Sequence, residues 1–223
     1  MFVGHYSVSF AAKSAEKCVP LWLLFVAVQL VDVLWAIFVL LGIEKARIVP
    51  GITASSPLDL YYMPYTHSLL GALFWSALAF CICQLFPRLK GRRTGLIVAA
   101  AVFSHWVLDL IVHRPDLALY DNSLKMGFGL WNYRMPAFIL EIALLAGGAM
   151  LYLRTASHKG RAVAYVCLLI LVQIVGTFFF PPPPSDRAAA TTALFFYLIF
   201  ALIAVWSDGS LRKKSASGSG QPR

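Results

Sequence analysis

Residues 94–113 read TGLIVAAAVFSHWVLDLIVH. Twenty residues without a Lys, Arg or Glu have the length that an α-helix needs to cross about 30 Å of hydrocarbon. Three ionisable residues nevertheless interrupt the apolar run, His105, Asp109 and His113, at i, i+4 and i+8. At about 100° per residue they spread over only about 80° of a helix, so the stretch reads as a membrane span with one polar stripe facing a bundle interior.

The rest of the chain agrees with a membrane reading. Of 223 residues, 60% are hydrophobic and 13% charged, and the mean hydropathy is +0.74; soluble domains average about half apolar and about a quarter charged. This balance excludes a disordered chain, a coiled coil and a secreted disulfide scaffold. Cys18, Cys81, Cys83 and Cys167 sit in or beside apolar runs without framework spacing and read as packing residues. The expected fold is an all-α polytopic bundle with about six transmembrane helices, at 20–43, 66–86, 94–113, 134–153, 161–180 and 188–206, in a single domain over 1–206. An N-terminal half-helix is predicted over 3–17, and 207–223 reads as a polar cytoplasmic tail. No removable signal segment is expected at the start, and Pro181 to Pro184 should end the fifth span.

If six spans alternate, thirteen of the 19 Lys and Arg residues fall on one side, in 13–17, 88–93, 154–161 and the tail. Lys45, Arg47, Arg114, Lys125, Arg134 and Arg187 fall on the other. Cytoplasmic loops collect Lys and Arg, so the chain is expected in a bacterial inner (plasma) membrane with both termini cytoplasmic and 44–65, 114–133 and 181–187 facing outward. The charge of +9 is then accounted for by topology and calls for no nucleic acid. Tyr61, Tyr62, Tyr65, Trp131 and Tyr133 fall at the outer interface, where amphipathic rings are expected.

Ionisable groups inside spans are costly, and here they share a depth. Counting about 1.5 Å per residue from the inner end of each span puts His105 about 16 Å up, Asp109 about 22 Å, His113 about 28 Å and Asp32 about 18 Å. His67 opens the second span at the level of His113. A helix over 3–17 that descends and turns near Val19 brings His5 level with Asp32, and Glu141 lies about 10 Å in from the outer end of its span. Imidazoles and carboxylates together suit a divalent metal such as zinc, with manganese or iron as alternatives, and the absence of aligned thiolates argues against a soft-metal site. The metal-ligand candidates are His5, Asp32, His67, His105, Asp109 and His113. Read singly, each has a structural explanation: His67 as a core residue with Thr66 capping its helix, Asp32 as a partner of Gln29, and Arg114 and Arg134 as topology residues.

At these positions the sequence resembles the YdjM-like family of inner-membrane, metal-dependent hydrolases. The matching pieces are Gly4-His5, Asp32, Tyr65-Thr66-His67-Ser68-Leu69, and Ser104-His105 with Asp109, within about the first 140 residues. The ligand order is more distantly similar to that of zinc-dependent phospholipases C. That likeness implies one ion on Asp32, His67, His105 and Asp109, a second bridged by Asp109 to His5, and a third on His113. Together these readings lead to a membrane-embedded hydrolase acting on a phosphoester or ester of an amphiphilic substrate at the outer leaflet. Asp109 and Glu141 would be its catalytic carboxylates, Glu141 as general base, and Arg114 and Arg134 would bind a substrate phosphate. The rival readings are a metal-ion or proton-coupled transporter, a b-type haem protein with paired axial histidines, and a non-catalytic membrane protein. A transporter would carry its polar path through to the inner half of the spans, which holds almost no ionisable group.

Overall fold

The computed structural model describes residues 1–209. A short 3-10 turn, Val3–His5, leads into α1 (Tyr6–Ala15). Next come α2 (Leu21–Val28) and α3 (Leu30–Leu40), then a two-stranded antiparallel hairpin of β1 (Lys45–Ile48) and β2 (Leu58–Tyr62). The remaining helices are α4 (Leu69–Leu85), α5 (Arg92–Val112), α6 (Arg134–Thr155), α7 (Lys159–Phe178) and α8 (Asp186–Asp208). The fold is therefore helical, apart from that hairpin in the segment after the first predicted span. In the hairpin Arg47 lies opposite Asp59, so a cross-strand charge pair fixes the register.

Four helices, α5 to α8, are long and apolar enough to cross a membrane, and α2 with α3 makes a fifth if the bent pair is one span. The helix α4 has 17 residues, the lower limit of about 17–25 residues for a span. Its start differs from the sequence reading. Ser68 rather than Thr66 caps it, the Ser68 hydroxyl accepting Gly71 N–H at 2.9 Å, which leaves Thr66 free for another role. Likewise Ser185 caps α8 after the proline run, accepting Ala188 N–H at 3.1 Å. That helix runs two residues into the predicted tail, and 210–223 lie outside the described residues.

The predicted first span, 20–43, is broken at Gln29 and bent by 55°. Gln29 is buried, and its Nε2 donates to the Phe2 carbonyl at 3.3 Å. The break leaves the Val28 carbonyl to accept from His105 Nδ1 at 2.7 Å. A kink in one helix thus supplies an acceptor to the polar stripe of another, as helix breaks in membranes require when backbone groups are freed.

The N-terminal segment folds back beside α2, with Ser9 Oγ donating to Leu24 O at 3.0 Å. Its aromatic residues build the core: Tyr6 stacks on Phe25 at 4.3 Å, Phe10 on Tyr152 at 5.3 Å and Phe25 on Tyr165 at 5.2 Å. In a lipid setting such van der Waals packing, rather than exclusion of water, holds helices together. Against α6 the approach is closer still, because Gly148 faces the backbone of Ser7.

The two ends of the bundle differ. One gathers the ion pairs Lys13–Asp208 at 2.9 Å and Arg93–Glu16 at 3.4 Å, with Arg161 over Trp206. The other carries the hairpin, the loop after α5 and the proline run. These are tied down by Lys125 to Tyr61 O, Arg134 to Ala54 O and Arg187 to Leu40 O.

Adjacent glycines on α6 separate packing from helix propensity. A Cβ on Gly148 would lie 2.7 Å from the Ser7 Cα, whereas one on Gly147 meets nothing within 4 Å. Thermal unfolding in detergent should show Gly148→Ala destabilised by about 1–3 kcal/mol and Gly147→Ala stabilised by about 0.5–1 kcal/mol. Equal shifts in the two variants would contradict the close α1 to α6 packing.

Candidate metal centre

Asp109, on α5, is 2% exposed, and its two oxygens face four imidazoles. Oδ1 lies 3.1 Å from His5 Nε2, and Oδ2 lies 3.0 Å from His105 Nε2, 3.5 Å from His113 Nε2 and 3.8 Å from His67 Nε2. The N-terminal ammonium of Met1 also donates to Oδ1, at 2.6 Å, and pairs with it in charge. Asp32, on α3, brings Oδ1 to 3.1 Å from His67 Nε2 and 3.4 Å from His105 Nε2. The six sequence candidates are thus brought together from the N-terminal turn, α3, the start of α4 and α5.

Two groups have the spacing of a metal site, His5 with His105 and Asp109, and Asp32 with His67 and His105; within each group the donor atoms lie within 4.8 Å of one another. His105 belongs to both. His113 lies outside these groups but stays next to Asp109. Among the described residues no cysteine joins them; Cys18 makes its contacts with Glu16 and Thr94, on the far side of the bundle.

The orientation of each ring follows from what its other nitrogen touches. His105 Nδ1 meets the Val28 carbonyl, which can only accept, so Nδ1 carries the hydrogen and Nε2 the lone pair. At His113 the same role falls to Asp116, whose Oδ1 is 2.8 Å from Nδ1. His67 Nδ1 lies 2.8 Å from Thr66 Oγ1, and that hydroxyl donates to Glu44 Oε2 at 2.6 Å. A hydroxyl has one hydrogen, so Thr66 accepts from His67 Nδ1, and in the neutral ring Nε2 carries the lone pair, 3.1 Å from Asp32 Oδ1. Glu44 is held in turn by Tyr65 N–H and Thr66 N–H, both at 2.9 Å. Burial pushes its carboxyl above the usual range, and the hydrogen bond from Thr66 opposes that shift.

Three lone pairs therefore point at buried carboxylate oxygens, an arrangement that is repulsive unless positive charge lies between. His105 Nε2 has no hydrogen-bond partner despite its short approach to Asp109, and neither has His5 Nδ1. A second proton on a ring would also supply charge, though not on His5 and His105 together, since those rings stack at 3.9 Å and 7° and two imidazolium ions there repel. A divalent cation in either three-residue group would satisfy the donors of that group, so the residues present fit a metal.

The other sequence candidates take different places. Glu141, 4% exposed, accepts from Phe2 N–H and Gly4 N–H through Oε2, at 2.9 and 3.2 Å, so it anchors the segment that carries His5. Arg114 turns away from the cluster. It pairs with Asp59 and, at 3.3 Å, with Asp116, and Arg47 holds Asp59 from its other side at 2.6 Å. Arg134 lies at the rim of a cavity of about 960 Å³ that reaches Asp32, His67, Asp109, His113 and Glu141. Trp131 covers the His113 ring at 4.2 Å.

Sequence reasoning passed over Glu44, Asp116 and Tyr197, whose hydroxyl donates to Asp32 Oδ2 at 2.6 Å. Asp116 follows His113 by three residues, and Tyr197 is a hydroxyl in mid-span; both were visible signals. Glu44 carries none, because only the fold sets it beside Thr66.

No known protein family, curated protein or solved structure matches the chain. The site is therefore read from its own geometry.

Outer partners of metal-bound histidines commonly govern affinity by about tenfold to a hundredfold. Thr66→Val, which removes the acceptor of His67 Nδ1, should weaken zinc binding by about that range, and Thr66→Ser should restore it. Competition with a chromophoric chelator measures both. Unchanged affinity in Thr66→Val would remove Thr66 from the site.

Proposed function

We propose that this chain is a membrane-embedded, metal-dependent hydrolase that cleaves a phosphoester or ester in an amphiphilic substrate. The observation that carries this reading is the set of imidazoles, oriented by Val28, Thr66 and Asp116, converging on the half-buried Asp32 and buried Asp109 carboxylates. His105 Nε2 offers one lone pair, so an ion would be held either by His5, His105 and Asp109 or by Asp32, His67 and His105, with His113 beside it. The donor set of nitrogen and oxygen suits zinc, and manganese or iron to a lesser degree. Such an ion supplies Lewis-acid polarisation of a substrate oxygen and a more acidic water.

The protein's own residues set the rest. Glu141 lines the cavity and is assigned the role of proton acceptor, and Asp109 holds the imidazoles in register. Arg134, at the cavity rim, meets an anionic substrate group. Arg114 is assigned to positioning instead, since its guanidinium is shared between Asp59 and Asp116 and so steadies the carboxylate behind His113.

The motif resemblance to YdjM-like hydrolases supports the same assignment. Six spans in a bacterial inner membrane, with the cavity toward the outer face, follow if α2 with α3 is one span, α4 is another and the Lys and Arg bias sets orientation. Against a transporter stands the opposite end of the bundle, where the charged residues are paired with one another: Lys13 with Asp208 and Arg93 with Glu16.

The shared ligand makes a graded outcome. Elemental analysis of the purified, untagged protein should find about one zinc or manganese ion per chain, since the two ligand sets share His105. His5→Ala and His67→Ala should each lower the content and His105→Ala should abolish it, together with turnover of a phosphoester and ester panel. Folded protein that takes up no divalent metal overturns the reading.

A further inference from the structure

One cavity wall remains without a task in that chemistry. From the charged cluster the space of about 960 Å³ runs along α6, α7 and α8, past Phe138, Val172, Gly176, Ala189, Ala193 and Phe196. Its volume is at the upper end of ordinary ligand sites, about 300–1,000 Å³, while the metal cluster fills only one end. Small residues in membrane helices normally let a neighbouring helix approach closely. Here they face open space: a Cβ on Gly176 meets no atom within 4 Å. Gly176 and the neighbouring Leu171 and Phe180 are exposed on the outside of the bundle, so this wall borders the lipid.

We propose that the cavity takes a single-chain lipid phosphate end-on, with the phosphate at the His and Asp cluster and the hydrocarbon chain between α6, α7 and α8. The proposal rests on the hydrolase reading and specifies its substrate class. A chain in this chamber loses little on leaving the bilayer, since both surroundings are apolar, so selection falls on the headgroup. Arg134 at the rim adds charge complementary to phosphate.

The test uses the zinc-loaded protein in lipid nanodiscs and a dodecylphosphonate, whose P–C bond resists hydrolysis, with a photoreactive diazirine at the chain end. Saturable crosslinks are expected on α7 and α8 around Gly176 and Ala193, displaced by unlabelled dodecylphosphonate. Gly176→Phe, which fills the chamber, should reduce them about tenfold. Metal content should be unchanged in this variant. Crosslinks scattered over lipid-facing residues such as Leu70 and Phe74, or a diazirine dodecanol that labels as strongly as the phosphonate, would overturn the proposal. If zinc is bound and labelling is scattered, the chamber falls and the metal-centre reading stands. Specific labelling in a protein that binds no metal supports the chamber and removes the hydrolase.

Discussion

Everything at the upper end of this molecule is organised around one carboxylate taken out of water. Asp109 faces the Nε2 atoms of His5, His67, His105 and His113 at distances of 3.0 to 3.8 Å. A charge buried in hydrocarbon is tolerable only if it is paired and hydrogen-bonded, and those four rings come from three different parts of the chain. Satisfying Asp109 therefore fixes how the N-terminal turn, the start of α4 and α5 sit relative to one another. Asp32 repeats the arrangement on a smaller scale, shared between His67, His105 and the Tyr197 hydroxyl.

Much of the architecture reads as a means to that end. The break at Gln29 provides a carbonyl for His105, and the loop before α4 provides Thr66 for His67. Glu141 pins the backbone at Phe2 and Gly4, so that His5 reaches the cluster although it lies far from α5 in sequence. Gly148 permits the close seat of α1 on α6 that this pinning needs. The hairpin contributes from outside, because Arg47 and Asp59 form one end of a chain of charges that passes through Arg114 to Asp116 and so to His113. In such a network each member restricts its neighbour, and the ring orientations become properties of the fold.

The sequence carried the apolar helices, their approximate limits and the polar stripe of α5, because a 3.6-residue period and span length are local properties. His5, Asp32 and His67 could be placed with that stripe from depth alone, since the membrane converts residue number into height. What stayed hidden depends on lateral contacts. The bend at Gln29 has no proline or glycine to announce it, and the hairpin sits in a stretch where span logic is silent. Arg114 looked like a substrate-facing group by position but turns to Asp59 and Asp116, while Glu141 lines the cavity and also holds the N-terminal backbone. Thr66 looked like a helix cap, a role that Ser68 fills two residues later.

X-ray absorption spectroscopy at the edge of the bound metal tests the central claim most directly, because it reports ligand atoms independently of turnover. The claim is that histidine Nε2 and aspartate oxygens, and no sulfur, hold a divalent cation between Asp32 and Asp109. For zinc the expected spectrum has a nitrogen and oxygen shell at about 2.0–2.2 Å with imidazole scattering, diminished in His105→Ala. A sulfur shell near 2.3 Å, or a hydrated ion without imidazole features, would contradict the account.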